Sequence, residues 1–234
     1  MVAGVLAAGM CVLAGCGAGG AATAGSAPAT VPQVQAHVSN ASSTQPAYST
    51  NVTLPELTWT GHAAMAAKVN AAVQSWALSQ EHSFASAVQT DLAHASNLPA
   101  SLPPSSLTIT YKLGLATSRV VSYQFLVEPY YRGAANAGQT PVGLTFNLAT
   151  GQQYSLPGLF RSGGGYVSTL ADQAGTGLAG FSPAGAHCYL GQAPKAEAAS
   201  FGAWWLSPTG LVLSFPAGTY TASYCGAPTV TVPR

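Results

Sequence analysis

Between His62 and about Ala95 the apolar residues recur at helical spacing, and beyond Pro103-Pro104 they recur at strand spacing. That single change of period sets the class of fold. Met65, Val69, Val73 and Trp76 share one face, while Phe84, Val88 and Leu92 form a second stripe at i, i+4, i+8, offset from the first. The offset predicts a break near Ser79 to Glu81. Asn97, Pro99, Pro103 and Pro104 end the helix. Beyond them, strands are predicted over Leu107 to Leu115, Val120 to Tyr131, Pro141 to Leu148 and Gln153 to Leu156, with a second helix over Tyr166 to Leu178. A hairpin then runs from Trp204 through the turn Ser207-Pro208-Thr209-Gly210 to Phe215, and a last strand covers Thr229 to Val232. Ahead of the long helix, Asn51 to Trp59 reads as a strand broken by Pro55. The expectation is an α+β fold, a mainly antiparallel sheet packed by one long and one shorter helix.

Charge is scarce in this chain. Charged residues make up 6% and apolar residues 48%, where soluble chains usually carry about a quarter charged. Seven Lys plus Arg against six Asp plus Glu leave a net charge of +1, with no run of either sign. Nucleic acid is therefore excluded as a partner, and no polybasic patch is available to a membrane surface.

The apolar stretch Met1 to Leu13 closes on Leu13-Ala14-Gly15-Cys16 and opens into Gly, Ala, Ser and Thr, which is similar to a bacterial lipoprotein signal peptide. It is too short to span hydrocarbon, which takes roughly 20 apolar residues. It departs from the usual pattern in having no Lys or Arg before Lys68. On this reading residues 1–15 are removed and Cys16 carries acyl chains that hold the protein at a lipid bilayer. Residues 16–47 are small, polar and aperiodic, and are expected to form a flexible tether, with a short edge strand at Val34 to Val38. The folded domain is expected over 48–234, as one unit or as two packed subdomains at about 48–105 and 106–234.

Few constellations in the chain could carry chemistry. Gly180-Phe181-Ser182-Pro183-Ala184 approaches the G-x-S-x-G nucleophile turn, but it lacks the last glycine, and Pro183 removes an N–H that an oxyanion hole would use. The histidines at 37, 62, 82, 94 and 187 show no metal-ligand spacing. Gly163-Gly164-Gly165 lacks the Lys that would make it a phosphate loop, and Glu56, Glu81, Glu128 and Glu197 are scattered. Neither metal nor cofactor is expected. Aromatic side chains crowd two places, Tyr123 to Tyr131 and Trp204 to Tyr224. They serve either as core or as a binding groove.

Taken in order, the segments resemble the RsiV-like domain of unknown function, found in the extracellular part of an anti-sigma factor and in secreted mycobacterial immunogenic proteins and lipoproteins. The likeness rests on Lys68-Val69-Asn70-Ala71-Ala72-Val73, on Tyr123-Gln124-Phe125-Leu126-Val127-Glu128-Pro129-Tyr130-Tyr131, on Thr145 to Leu156 with Gly158-Leu159-Phe160, and on Trp205 to Pro233. It covers about residues 48–233. Where the family often has Gly-Gly-Ala-His, this chain has Gly133-Ala134-Ala135-Asn136. The resemblance implies an α+β fold in the cell envelope. In the family, RsiV binds lysozyme, some relatives are described as esterases, and others carry deacetylase domains that this chain lacks.

The expected function is that of a non-catalytic binding module on the extracytoplasmic face of the membrane, with an envelope protein or cell-wall ligand as partner. The rival is a carboxylic ester hydrolase acting on lipid or wall acyl groups. The candidate binding surface comprises Tyr123, Tyr130, Tyr131, Asn136, Trp204, Tyr220 and Tyr224. With Cys16 committed to lipid and Cys11 removed, Cys188 and Cys225 are the pair left to form a disulfide in an oxidising compartment. Both thiols should resist alkylation until reduced. Closing the loop from 188 to 225 should contribute roughly 3 to 4 kcal/mol, read as a fall in urea midpoint on reduction.

Overall fold

The computed structural model describes residues 30–95, 97–160 and 165–233. The signal-like segment, Cys16 and the tether as far as residue 29 lie outside them. A five-stranded sheet has the order β1-β2-β3-β4-β5, built from β1 Gln33–Thr44, β2 Ala47–Thr58, β3 Ser105–Ala116, β4 Val120–Tyr130 and β5 Thr140–Asn147. Every pairing in it is antiparallel except β2 with β3. A parallel pair requires a crossover, and helix α1, Ala63–Thr90, supplies it. A short helix α2, Leu92–Ala95, follows. The second sheet, β6 Ala203–Ser207, β7 Gly210–Ser214 and β8 Thr229–Pro233, is wholly antiparallel, and helix α3, Tyr166–Ala179, packs on it beside β8. The expected α+β architecture is present.

Helix α1 runs unbroken through Ser79 to Glu81. Its buried residues, Ala66, Val69, Val73, Ala77, Phe84 and Val88, follow steps of three, four, four, seven and four, so they lie on one face. The two stripes expected from the larger side chains merge once Ala66 and Ala77 are counted. The break falls instead at Asp91, and Leu92 beyond it is exposed. At the other end no side chain caps the helix. His62 stacks on Trp59 at 3.9 Å, and Trp59 Nε1 donates to the Thr30 carbonyl at 2.7 Å.

Strand β1 includes the short edge strand expected at Val34 to Val38 and continues to Thr44 through residues expected to be tether. Its side chains are almost all exposed, so little apolar burial marks it in the sequence. What orders it is a backbone ladder to β2 along its whole length. Strand β2 is likewise continuous through Pro55. Pairing with β3 ends at Val52, so Pro55 lies where β2 has a neighbour on one side only, and its missing N–H can face away from the ladder. Asn70 serves the same unflanked stretch. It accepts from Leu57 N at 2.8 Å through Oδ1 and donates through Nδ2 to Leu57 O at 2.9 Å, filling for one residue the place of an absent strand.

No strand forms over Gln153 to Leu156. Gln153 makes an isolated bridge to Phe146, and Pro157 turns the chain into a 3-10 turn at Pro157–Leu159. In the preceding turn Gly151 takes φ +70°, and its neighbour Thr150 accepts from Lys68 Nζ of α1 through its carbonyl. At the alternative boundary near residue 105, β3 begins and pairs with strands on both sides. The core changes later. One cluster covers β1–β5 with α1 and ends at Leu148, and a second begins at Leu156 and holds α3 and the small sheet.

Alternation along β4 decides how the two join. Phe125 faces α1, with its ring 4.4 Å from Trp76, so Ser122 faces the other way. There β6 lies directly on the larger sheet. Ser122 Oγ accepts from Leu206 N at 2.8 Å and shares a 2.6 Å hydrogen bond with Thr145 Oγ1. A Cβ on Gly143 would overlap the Trp204 carbonyl, and one on Gly114 would lie 2.5 Å from the Leu206 carbonyl. Gly143→Ala is therefore expected to destabilise the protein by about 3 kcal/mol. Gly202→Ala, with open space at its Cβ, should stay within about 0.5 kcal/mol of the parent. Paired urea melts check both.

Candidate functional site

The aromatic residues expected to form a binding surface are not brought together. Tyr123 and Trp204 are buried in separate cores. Tyr131 packs against the first core, its ring 5.6 Å from Phe84, and Tyr220 meets Phe215 edge-on at 5.2 Å. Tyr130 is half-buried at the end of β4, and Asn136 is exposed in the loop after it. Tyr224 alone is highly exposed, at 76%, and its hydroxyl donates to the His187 carbonyl at 3.3 Å. The physical reason is alternation. Neighbouring aromatics on a strand point to opposite faces, and both faces of the central strands are covered.

Tyr123 sits on the α1 face with its hydroxyl buried and without a hydrogen-bond partner. Burial, helped by nearby Tyr111, pushes its phenol far above the ordinary value, so it is neutral at every physiological pH. It cannot serve as a base or a donor to an external ligand. The expected disulfide is present: Cys188 and Cys225 are bonded, which ties the chain after α3 to the turn before β8. Beside it, Tyr189 bridges Thr221, and Ala222 N donates to Cys188 O at 2.8 Å. His187 is exposed next to the bonded cysteine.

The openings lie elsewhere, along the seam between the β1–β2 hairpin and α1. One cavity of about 390 Å³ sits at the hairpin turn, between Thr44 to Ala47 on one side and Val88, Leu92 and Arg132 on the other. It shares Gln45, Pro46 and Gln89 with a neighbouring opening that reaches Tyr48, His82 and Ser86. Nearer the start of α1 a third opening, about 360 Å³, lies between His37 and Ser39 of β1 and Gln74, Leu78 and Glu81 of the helix. The exposed side of β1 and the outer flank of α1 thus form two walls of one groove. Its lining mixes amides, hydroxyls and apolar groups with the charged Arg132 at one end and Glu56 and Glu81 at the other. Thr50 Oγ1 donates to Glu81 Oε2 at 3.3 Å at its base. Sequence reasoning missed this groove because β1 was assigned to the tether, and a groove needs both walls.

Catalytic groups do not converge among the described residues. Ser182 is exposed and donates to Ala186 O at 2.8 Å rather than to a histidine. His37, His62 and His82 are exposed singly. Asp172 is on the exposed side of α3, and Asp91 closes α1. No group of three or more His, Cys, Asp or Glu is placed to hold a metal among the described residues. No described helix is long and apolar enough to cross a membrane.

A five-stranded sheet with one helix crossover, backed by a three-stranded sheet and a second helix, defines an α+β domain with a groove beside its edge hairpin. Two solved structures share that fold. A DUF3298 family member from Bacteroides fragilis matches with a TM-score of 0.58 and 12% identity, over 88% of this chain and 91% of that one. A DUF3298 family protein from Pseudomonas aeruginosa matches with a TM-score of 0.55 and 11% identity, over 86% and 90%. At these identities the likeness is one of fold. No protein-family model matches the chain, and no curated protein matches it.

Tyr123→Phe is expected to keep the fold and to be equal or more stable by about 1 kcal/mol, since it removes a buried hydroxyl that has no partner. The parent should lose stability as pH climbs past the ordinary tyrosine value. Above it the unfolded state releases a proton that the folded state retains, so the slope with pH is negative. The variant's loss over the same range should be shallower, measured by urea midpoints from pH 8 to 11.

Proposed function

We propose that this protein is an extracytoplasmic lipoprotein, anchored through acylated Cys16, whose RsiV-like domain binds an envelope protein or cell-wall ligand without catalysis. The observation that carries the binding half is the seam between the hairpin and α1. It has the dimensions of a ligand site and a lining of hydrogen-bonding side chains, Arg132, Glu56 and Glu81 among them, with no nucleophile held against a base among its described lining residues. Two features support the location. A disulfide belongs to an oxidising compartment, and Leu13-Ala14-Gly15-Cys16 has the pattern for acylation at the new first residue.

The test has two arms. Radiolabelled palmitate should appear in the mature chain in the membrane fraction and vanish in Cys16→Ser. Absence of label in the parent overturns the anchor. Hydrolysis of p-nitrophenyl butyrate by the purified protein should stay at the buffer rate and be unmoved by Ser182→Ala. A turnover abolished by any single Ser→Ala change overturns the non-catalytic reading in favour of an esterase.

A further inference from the structure

We propose that the Arg132 end of the seam is a carboxylate pocket that takes the C-terminus of a short aliphatic peptide. The proposal rests on reading the seam as a ligand groove and names what one end of it binds. Arg132 follows β4 and reaches the cavity at the hairpin turn together with Ser105 of β3. Its backbone N–H donates to Ser105 Oγ at 3.0 Å, and its Nη2 donates to Pro99 O at 2.8 Å. The first fixes the backbone at the cavity and the second holds the guanidinium, and neither neutralises its charge. Among the described residues no carboxylate pairs with it, and Nε is buried without any partner.

An arginine so placed is partly stripped of water and lacks a counter-ion, which is costly until an anion arrives. A planar guanidinium is best matched by the two oxygens of a carboxylate. Among the described residues Nη1 and the Ser105 hydroxyl proton have no acceptor, and both residues line the cavity. Gln45 and Gln89 add amide groups. One cation suits a monoanion. A phosphate dianion would call for more positive charge than the lining holds.

The rest of the wall selects the body of the ligand. Val88, Leu92, Pro46 and Ala47 are apolar, so the group beside the carboxylate is small and aliphatic. No acid lines this cavity, so a free amino acid would leave its ammonium unpaired beside a guanidinium. An amide in that position removes the clash. A peptide C-terminus meets all these conditions, and the chain before it can continue into the adjoining opening through Gln45 and Gln89.

The full chain, in detergent micelles, is titrated with N-acetyl-Ala-Ala and with its C-terminal amide while backbone amide shifts are followed by NMR. The acid should shift Gln45, Leu92 and Arg132 saturably, and the amide should bind at least about tenfold more weakly. Arg132→Gln should lower the acid's affinity to that of the amide. Arg132→Lys, which keeps charge but loses the fork, should fall between. If Arg132→Gln fails to fold, the comparison of acid with amide on the parent still decides. The D,D peptide tells the source: preference for it indicates a wall stem peptide, and preference for L,L a protein C-terminus. Equal binding of acid and amide overturns the carboxylate pocket while leaving the groove intact, and no shift with either peptide overturns the pocket outright. Neither outcome depends on acylation at Cys16 or on ester hydrolysis.

Discussion

The close approach of β6 to the larger sheet is the contact on which the rest of the molecule depends. Two backbones can lie against each other only where side chains are absent or very small, and the meeting point is Gly114, Ser122 and Gly143. Ser122 then gives the β6 amide a partner that its own sheet does not supply, and Thr145 fixes the Ser122 rotamer. From that joint the second core is assembled. Trp204 turns inward beside Leu213 and Phe215, α3 closes over β8 with Gly177 against Val230, and the disulfide ties the remaining loops.

The first core is held by different means. Strand β2 pairs with β3 only as far as Val52, and beyond that point the sheet would present an open edge over α1. Asn70 meets that lack from the helix at Leu57, while Trp59, between β2 and the helix, holds Thr30 ahead of β1, and Lys68 of the helix holds the Thr150 turn after β5. The consequence for function is geometric. An edge strand, β1, held mostly by its backbone ladder to β2 and lying beside a helix whose outer flank is polar, leaves a gap, and that gap is the groove. Its far end is closed by the loop carrying Arg132, so the same arrangement that holds the edge also brings a cation to it.

How much of this was readable from residues varies with the signal. The small sheet was readable almost to the residue, because Leu211, Leu213 and Phe215 alternate and Ser207 to Gly210 is sound turn chemistry, with Ser207 Oγ accepting from Gly210 N. The disulfide followed from counting thiols. The continuity of α1 was misread because alanines carry little weight in a hydrophobic pattern, yet Ala66 and Ala77 are as buried as the valines. Strand β1 was read too short, as Val34 to Val38, for a related reason: Gln33 to Thr44 buries almost nothing, so no apolar stripe marks its full length. The candidate aromatic residues, too, are placed apart rather than on one surface. Aromatics drew attention as the strongest side chains, but Tyr123 and Trp204 were core.

The sequence by itself determined the α+β class, the long helix, the second hairpin and the thiol pair, since each is written in local periodicity, turn residues or arithmetic. Only the tertiary structure decided that β1 extends to Thr44 along the whole of β2, that Gly114 and Gly143 are contact points rather than flexible positions, and that Arg132 faces a cavity with Ser105. Each of these depends on what lies opposite a residue across distances of up to a hundred positions in the chain. No local pattern encodes the opposing surface, so only the folded arrangement reveals it.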